Sequence, residues 1–463
     1  MRFKNLSNKN VFILGLGISG FSLAQKLNKS IKTLYCWDDD VKIQKKAINH
    51  NLILKKISEV DFNNLDFLII SPGINNDHIA AKRAKKTSCK VITDIELIPF
   101  INKSLCLVGV TGTNGKSTTS QMIKDVINNS KIKSEVVGNI GVPFTEVNVN
   151  RKTHLIVEAS SYQLERIEKV NFNIAVLLNI SNDHLERHKN IKNYIKAKKN
   201  IFKNQNFCDH AIICTDTKIC KKISDSFKKS YKSNLILIST KEELSNGIYL
   251  REDKNEITIY DNINRESLSI LKKKINLSGK HNYQNILACY AVSKVLGFKK
   301  KLFAAGIKKF KGLEHRFEKF FKYKSITFFN DSKSTNINSS KVALDSINNI
   351  YWLAGGIQKD GGFQEIEKNL SSVIKVFLYG ESRNEFSKYL KNHVKTQVFK
   401  DLKKALYKAL DEGLNSKKRI NIILSPACAS FDQFKNFEER GLYFKKIVRE
   451  KVSLLNRLEN EKH

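Results

Sequence analysis

The stretch from Leu105 to Ile127, LCLVGVTGTNGKSTTSQMIKDVI, reads as a buried strand, a glycine-bearing loop and a helix. Backbone N–H groups in such a loop, together with the N-terminus of the following helix, bind phosphate groups. In this interpretation Lys116 reaches the β- and γ-phosphates of a nucleotide, and the Ser117 hydroxyl is a ligand of Mg²⁺. The strict pattern for this loop requires glycine at position 110, where the chain has Val110. The stretch therefore predicts a variant of the phosphate-binding loop, or P-loop.

A second glycine-rich turn lies upstream, in NVFILGLGISG at 10–20, where a G-x-G-x-x-G pattern follows an apolar strand and precedes a helical stretch. Taken alone, this pattern indicates a dinucleotide site in which Asp38 or Asp39, about twenty residues on, binds the ribose. The same geometry serves any pyrophosphate or nucleotide. Two interpretations therefore stay open for this turn: NAD-dependent oxidoreduction, and binding of a second, different nucleotide.

Strand and helix patterns alternate along the whole chain, which favours parallel sheets. An exception is NGIYLREDKNEITIY at 246–260, whose alternating apolar residues predict an antiparallel ribbon. Three segments follow one another, and each opens with a strand. We predict an α/β fold with three domains: a Rossmann-like domain at 1–95, a central P-loop ATPase domain with a parallel sheet at 96–312, and a Rossmann-like domain at 313–463.

Composition excludes several classes of protein. At about 150 residues per domain, a chain of 463 residues accommodates about three domains. No window approaches the roughly 18 consecutive apolar residues of a membrane span, and the first residues, MRFKNLSNKN, lack the apolar core of a secretory signal. We therefore expect no membrane span and no export.

The net charge of +36 raises the possibility of a nucleic-acid binder. The lysines are spread over the chain, however, without an arginine-rich arm or a zinc-finger spacing, so we expect no nucleic-acid partner. A basic cleft for anionic small molecules explains part of the charge equally well. The 8 cysteines form no C-x-x-C pair, which argues against a structural zinc site and favours a reducing cytoplasm.

Ionisable side chains follow two further strands of the central segment. Glu158 and His184 lie where loops gather at the carboxyl edge of a parallel sheet, and both can complete the coordination of a phosphate-bound Mg²⁺. In the helical stretch that follows, Lys198 is a candidate for carbamate formation, in which CO₂ turns an amine into a carboxylate-like metal ligand. Its neighbours Lys196 and Lys199 compete with it for this role, and the residue pattern does not decide among the three.

The third segment places cationic and hydroxyl side chains just after its predicted strands, a position that suits anionic substrates. Cys428 lies beside small residues without a histidine partner, so we predict that it packs in the core and is not a nucleophile. The candidate site residues of this segment are Arg316, Asp331, Lys333, Thr335, Lys359, Ser430 and Phe437.

In combination these motifs resemble the Mur ligases, which add amino acids to the peptidoglycan precursor. The tail SPACASFDQFKNFEERG at 425–441 is similar to that of the branch that adds D-glutamate. The resemblance covers nearly the whole chain, and the motifs that recur in the family's order are GLGISG at 15–20, TGTNGKST at 111–118, SGKHNYQN at 278–285, HRFE at 315–318, NDSKSTN at 330–336 and KNFEERG at 435–441.

The resemblance implies an ATP- and Mg²⁺-dependent ligase that joins D-glutamate to UDP-N-acetylmuramoyl-L-alanine through an acyl phosphate. It also implies a cytoplasmic enzyme, which we expect to be a monomer. It selects Lys198, the last residue of YIKAK at 194–198, as the carbamylated lysine, and it makes Lys116, His184 and Lys198 the catalytic residues.

The resemblance also implies individual contacts. The UDP-substrate would contact Ser19, Asp38, Ser71, Pro72, Gly73, Asn139 and Gln163. ATP would contact Gly112, Thr113, Asn114, Gly115, Lys116, Ser117, Thr118, Asn282, Asn285, Arg316 and Asp331. The metal ligands would be Ser117, Glu158, His184 and the Lys198 carbamate. D-glutamate would contact Lys333, Thr335, Lys359, Ser430 and Phe437.

Two positions depart from the family's pattern. Asp39 and Asp40 follow Asp38 where some members have a polar or basic residue, and two further acids would repel a diphosphate. Loop length in GGIQKDGG could also shift the register of Lys359 by one residue. The nearest rival function is a ligase of the same architecture that adds L-alanine, a diamino acid, or γ-glutamate to a folate.

Overall fold

The computed structural model describes residues 3, 6–101, 105–150, 152–275, 277, 279–358, 363 and 366–460. The chain forms two compact units, Met1–Lys274 with Gln284–Phe310, and Ile275–Tyr283 with Lys311–His463. Within the described residues the first unit contains two sheets and the second unit contains one, so each of the three predicted segments has its own sheet. The predicted α/β fold class is confirmed, while the domain boundaries at 95 and 312 stay predictions.

The first sheet is entirely parallel, with the strand order β2-β1-β3-β4. Its strands are β1 (Asn10–Leu14), β2 (Thr33–Trp37), β3 (Phe67–Ile70) and β4 (Lys90–Ile92). The helices between them are α1 (Ile18–Leu27), α2 (Val41–Asn49) and α3 (Ile79–Ala84). A 3₁₀ helix at Asp94–Phe100 follows, where the sequence predicts the end of the first segment.

The central sheet has nine strands in the order β13-β12-β11-β10-β9-β8-β5-β7-β6. These strands are β5 (Cys106–Thr111), β6 (Ser134–Gly138), β7 (His154–Glu158), β8 (Ile174–Leu177), β9 (His210–Cys214), β10 (Asn234–Ser239), β11 (Ile248–Glu252), β12 (Glu256–Asp261) and β13 (Glu266–Leu271). The helices are α4 (Lys116–Asn129), α5 (Ser161–Leu164), α6 (Leu185–His188), α7 (Ile191–Lys199), α8 (Lys218–Asp225), α9 (Phe227–Ser230), α10 (His281–Val295) and α11 (Lys300–Lys309).

Parallel pairing of the central sheet ends at β11, and β12 is antiparallel to both β11 and β13. The predicted antiparallel ribbon at 246–260 is therefore confirmed. Because β5 lies between β7 and β8, the loops that follow these three strands emerge next to one another at the carboxyl edge of the sheet.

The second unit contains a six-stranded sheet in the order β14-β15-β19-β16-β17-β18, in which only β14 is antiparallel to its neighbour. The strands are β14 (Glu318–Tyr323), β15 (Ile326–Asn330), β16 (Ile350–Gly355), β17 (Val373–Tyr379), β18 (Lys395–Val398) and β19 (Ile420–Leu424). The helices are α12 (Ile337–Leu344), α13 (Arg383–Leu390), α14 (Leu402–Leu414) and α15 (Phe437–Asn460).

The last helix, α15, begins at Phe437, within the tail motif at 425–441. The Asn436 side chain accepts a hydrogen bond from the Glu439 N–H at 2.8 Å, which satisfies a free donor of the first turn. Two acidic residues in that turn also favour this start, because they interact well with the positive end of the helix dipole.

Buried aliphatic and aromatic side chains fill both faces of the parallel strands, as expected for sheets covered by helices. Gly109 in β5 illustrates how close this packing is, because a Cβ at that position would lie 2.7 Å from the buried Phe172 ring. Among the described residues, no helix is both long and apolar enough to cross a membrane.

Candidate active site

The glycine-bearing loop joins β5 to α4 as the sequence predicts. Gly115 has a φ of +84°, and a Cβ there would lie 2.4 Å from the Asn285 side-chain oxygen, so this position requires glycine. Val110 is fully buried within β5 and pairs with Glu158 of β7. Position 110 is therefore a core position of the strand β5, which ends at Thr111 before the loop begins.

Two lysine amines meet at one carbonyl oxygen of this loop. Lys116 Nζ lies 2.9 Å from the carbonyl oxygens of both Gly112 and Thr113, and Lys198 Nζ lies 2.8 Å from the Gly112 oxygen. Lys198 is only 1% exposed, whereas Lys196 on the same helix is exposed to solvent. Of the three rival lysines, Lys198 is thus the one whose amine reaches the P-loop.

Burial, reinforced by the positive charge of Lys116, lowers the pKa of Lys198 well below its ordinary value. Asp183 and Glu158 act in the opposite direction but do not overcome this effect. A lowered pKa increases the fraction of neutral amine, which is the form that adds CO₂. The surroundings of Lys198 therefore fit the predicted carbamate.

Glu158 ends β7, next to the P-loop, and is 1% exposed. Its Oε1 accepts a hydrogen bond from Asn139 Nδ2 at 2.8 Å, while Oε2 is buried and has no hydrogen-bond partner among the described residues. A buried carboxylate oxygen without a donor is costly unless a cation or ligand satisfies it. The Asn139 amide, predicted to contact the UDP-substrate, is here committed to Glu158.

The predicted metal ligands are Ser117, Glu158, His184 and a carbamate on Lys198. No group of three or more His, Cys, Asp or Glu side chains in the described part of the chain could hold a metal ion by itself. The free oxygen of Glu158, the Ser117 hydroxyl and a carbamate on Lys198 are nevertheless the oxygen ligands that Mg²⁺ prefers. These residues fit a Mg²⁺ that is also held by nucleotide phosphates.

His184 lies on the loop after β8, in a left-handed conformation with φ of +53°. Its ring packs against Tyr162 with centroids 5.2 Å apart, and its two nitrogens lie 3.5 Å from carboxylate oxygens of Asp183 and Glu186. The neighbouring His188 is 4% exposed and bonds to the Ser161 hydroxyl at 2.9 Å. His184 is thus the more accessible histidine of this loop.

Asn179, which the sequence analysis did not single out, holds the tip of the P-loop. Its side chain accepts from the Asn114 N–H at 2.8 Å and donates to the Asn114 carbonyl at 3.1 Å, and its own carbonyl accepts from Thr113 N–H at 2.8 Å. On α10, the predicted ATP residue Asn285 accepts from Thr119 at 3.1 Å. Asn282, one turn earlier, is 5% exposed.

The glycine turn after β1 is held by two of the predicted substrate residues. The Asp38 carboxylate accepts from the Leu16 N–H at 2.6 Å, and the Ser71 hydroxyl donates to the Gly15 carbonyl at 2.9 Å. Asp40 caps α2, and Asp39 accepts from the Trp37 indole at 3.0 Å. Each of the three consecutive acids therefore has a local donor, and the expected repulsion toward a diphosphate stays a prediction.

The remaining predicted substrate residues differ in their exposure. Ser19 lies in the first turn of α1, and Gly73 is exposed with free space around it, while Pro72 is half-buried. Gln163 is 1% exposed, and its side chain completes a capping box with Ser160 at the start of α5. The cap uses Oε1 of Gln163, while its Nε2 lies 3.5 Å from Asp94 Oδ1, so a substrate contact through Nε2 would leave the cap intact.

In the second unit, Asp331 follows β15 and is surrounded by donors. Ser334 and Ser425 donate to its Oδ2 at 2.6 and 2.7 Å, and the Phe317 N–H donates to Oδ1 at 3.0 Å. Burial nevertheless raises the pKa of Asp331 to about 6, although the charge of Arg316 acts to lower it. The structure therefore brings these two predicted ATP residues close together.

This shift predicts a pH dependence of stability. A carboxyl whose pKa is raised by folding stabilises the protein below its unfolded value of 3.8, and this contribution is lost as the pH rises through 6. Two pKa units correspond to about 3 kcal/mol. The difference in free energy of unfolding between wild type and Asp331→Asn, followed by urea titration, should change by about this amount between pH 4 and 7. A difference that is independent of pH would contradict the assignment.

The predicted D-glutamate residues lie on two loops of the same sheet. Lys333 Nζ lies 3.7 Å from the centre of the Phe437 ring, and Ser332 Oγ donates to the Phe437 carbonyl at 2.8 Å. Thr335 is half-buried on the first of these loops, and Ser430 is 2% exposed on the second. Lys359 lies outside the described residues.

Cys428 is fully buried in the tail, and burial raises the pKa of its thiol to about 12. A thiol with so high a pKa carries almost no thiolate at neutral pH, which agrees with the predicted packing role.

Arg440 is a residue that sequence reasoning missed, although it lies inside the tail motif. It is fully buried, and its guanidinium donates to Ser332 Oγ at 3.0 Å, to the Ser332 carbonyl at 2.9 Å and to the Cys428 carbonyl at 3.1 Å. Arg440 thereby ties the loop that carries Lys333 to the tail that carries Ser430. Its place within the tail motif at 425–441 was the available signal.

Replacing Arg440 by methionine is expected to lower the free energy of unfolding by about 3 kcal/mol, because buried carbonyl oxygens lose their donors. Urea denaturation measures the loss. Arg449→Met on the same helix, where the side chain is exposed, is the matched control and should change stability by less than about 0.5 kcal/mol. Equal effects of the two substitutions would refute the role given to Arg440.

Comparisons with known proteins identify the family of this chain. A family model described as the Mur ligase middle domain matches residues 110–293. The UDP-N-acetylmuramoylalanine–D-glutamate ligase of Rickettsia felis is 36% identical over 445 residues, covering 95% of this chain and 97% of that protein. The protein of the same name from Wolbachia pipientis is 34% identical over 502 residues, with 96% and 97% coverage.

Among solved structures, the UDP-N-acetylmuramate–alanine ligase of Thermotoga maritima aligns with a TM-score of 0.59 over 96% of this chain and 100% of that one. At 16% sequence identity this likeness shows the fold alone. The identity to the Rickettsia felis enzyme over almost the entire length of both proteins is what establishes the relationship. This chain belongs to the Mur ligase family.

Proposed function

We propose that this protein is an ATP-dependent, ADP-forming ligase that joins D-glutamate to UDP-N-acetylmuramoyl-L-alanine during synthesis of the peptidoglycan precursor. The observation that carries the chemistry is the P-loop, where the amines of Lys116 and Lys198 meet at the Gly112 carbonyl beside the buried carboxylate of Glu158. The choice of substrates rests on the names of relatives that cover the whole chain, and on the tail at 425–441.

The first step makes the carboxylate of the terminal alanine reactive. An oxygen of that carboxylate attacks the γ-phosphorus of ATP, the bond to the β-phosphate oxygen breaks, and ADP leaves an acyl phosphate behind. Mg²⁺, when bound, offsets the negative charge that develops on the transferred phosphoryl group. Lys116 contributes in the same way, because its amine needs only to turn from the loop carbonyls toward the phosphates.

In the second step the neutral amine of D-glutamate attacks the acyl carbon, and the tetrahedral intermediate expels inorganic phosphate. The amine must lose a proton, and we propose His184 as a candidate base because it is the more exposed histidine of its loop. Ser117, Glu158, His184 and a carbamate on Lys198 are the proposed Mg²⁺ ligands. The carbamate forms when the neutral amine adds CO₂ and releases one proton.

The remaining contacts are also proposals. Asp38 and Ser71 would act on the UDP-substrate by shaping the glycine turn, since both side chains bind its backbone. Ser19, Pro72 and Gly73 would touch the substrate directly, while Asn139 would act through Glu158. Lys333, Thr335, Lys359, Ser430 and Phe437 would bind D-glutamate. We also propose that the enzyme is monomeric and cytoplasmic, and that nucleic acid is not a partner.

The test is release of phosphate from ATP and Mg²⁺ in the presence of UDP-N-acetylmuramoyl-L-alanine and one amino acid at a time. D-glutamate should support turnover, whereas L-glutamate, L-lysine and meso-diaminopimelate should not. Turnover with another of these amino acids would support the ligase mechanism but contradict the interpretation of the tail at 425–441 as specific for D-glutamate. No turnover with any of them would reject the proposed reaction.

A further inference from the structure

Two arginines of the central segment reach the turn that follows β3. Arg166 Nη2 donates to the Ile74 carbonyl at 2.9 Å, and its Nε and Nη2 donate to Asn76 Oδ1 at 3.0 and 2.7 Å. Arg187 Nη2 donates to the same Ile74 carbonyl at 2.9 Å, and Arg187 Nη1 lies 3.5 Å from the Gly73 oxygen. Two guanidinium groups thus converge on a single carbonyl oxygen.

The convergence of Arg166 and Arg187 on one carbonyl oxygen is unfavourable for the stability of the fold. Arg166 is only 6% exposed, and its Nη1 is buried without an acceptor among the described residues. The acceptors of both guanidinium groups are neutral, and burial together with the charge of Arg187 lowers the pKa of Arg166 to about 10. Like charges at short range in a buried site repel each other, so retention of this geometry implies a benefit that offsets the repulsion.

The location of these side chains indicates that benefit. The turn held at Gly73, Ile74 and Asn76 continues from Ser71, whose hydroxyl holds the glycine turn after β1. On the other side, Arg187 lies three residues after His184, and its guanidinium stacks on the Tyr162 ring at 4.6 Å, while His184 packs against the same ring. The pair therefore links the turn at 71–76 to the loop of His184.

We propose that Arg166 and Arg187 are positioning residues that hold the turn at 71–76 for the nucleotide-sugar substrate. This inference rests on the proposed function, because it takes the turn at 71–76 as part of the nucleotide-sugar site. Arg166 acts through Asn76 and the Ile74 carbonyl and does not touch the substrate. Without the hydrogen bonds from Arg166 and Arg187, the turn at 71–76 binds the substrate less well, while the P-loop is unchanged.

The experiment measures steady-state kinetics of Arg166→Gln, Asn76→Ala and the double variant. Each single variant should raise the KM for UDP-N-acetylmuramoyl-L-alanine about tenfold, with kcat and the KM for ATP within twofold of wild type, as expected for loss of binding to substrate and transition state alike. Because the two side chains act through one contact, the double variant should be little worse than either single variant. Arg166→Lys, which keeps one donor, should recover part of the loss.

Arg83→Gln is the matched control. Arg83 also belongs to the first unit and donates to two loop carbonyls, those of Ile57 and Val60, at 2.6 and 2.9 Å, away from the turn at 71–76. Its replacement should lower the melting temperature without changing either KM. The proposal is overturned if Arg166→Gln leaves the KM for the nucleotide sugar unchanged, or if Arg83→Gln raises it equally. Absence of turnover in the wild type would instead reject the proposed function.

Discussion

Lys198→Met should reduce ATP-dependent phosphate release by a factor on the order of 10³ while the protein stays folded. Methionine is close to lysine in length and flexible enough to fill the buried site, so the substitution removes the amine without leaving a large cavity. What is lost is the bond to the Gly112 carbonyl and the group that we propose to carry the carbamate. Steady-state phosphate release under saturating substrates measures the effect.

The matched control for this prediction is Lys196→Met, on the same helix but exposed to solvent, which should keep activity within twofold of wild type. A second measurement distinguishes the role of the carbamate from that of the unmodified Lys198 amine. Wild-type protein equilibrated with ¹³C-bicarbonate should show a carbamate carbon signal in its NMR spectrum that Lys198→Met lacks. Full activity of Lys198→Met would disprove the role of this residue, and an inactive variant with no wild-type signal would disprove the carbamate.

Lys116→Met should lower kcat by a factor on the order of 10² to 10³, because the positive charge that stabilises the transferred phosphoryl group is removed. In the structure Lys116 Nζ bonds to the Gly112 and Thr113 carbonyls of the loop, so the amine already lies beside the phosphate-binding backbone. Single-turnover measurements with saturating ATP separate this loss in the chemical step from any loss in nucleotide binding.

Lys124→Met, on the same helix, provides the control for Lys116. The Lys124 amine lies 2.8 Å from a carboxylate oxygen of Glu135, a partly exposed ion pair of the kind that contributes at most about 1 kcal/mol. Its loss should leave kcat unchanged. If both variants lost activity to the same extent, Lys116 would have no specific part in phosphoryl transfer.

The division of the chain into α/β segments was predictable because it rests on local patterns. Apolar runs of four to six residues form the strands β1, β3, β5 and β8, and the alternation at 246–260 forms the antiparallel pair of β11 and β12. The glycines of the P-loop were equally visible as a local motif, and the positive φ of Gly115 explains why that position is glycine. These features depend on neighbouring residues in the sequence and can therefore be predicted without knowledge of the fold.

The contacts within the candidate site were predictable only in part. The order β8-β5-β7-β6 brings the loops of His184, the P-loop and Glu158 to one edge, and no spacing in the sequence gives that order. The commitment of Gln163 to a helix cap and of Asn139 to Glu158 likewise depends on partners that meet only after folding. Arg166 was missed because a buried arginine has the same sequence signature as an exposed one, whereas Arg440 lies within the tail motif but was not singled out there.

The sequence by itself determined the class of fold, the phosphate-binding loop and, through its motifs, the family. The tertiary structure decided which of three neighbouring lysines reaches that loop, because only one face of α7 is buried and Lys198 lies on it. It also decided that three consecutive acids find local donors, and that two arginines share one carbonyl. The physical reason is that burial, desolvation and hydrogen bonding involve groups that are far apart in the chain. These contributions to the free energy exist only once packing has brought the groups together.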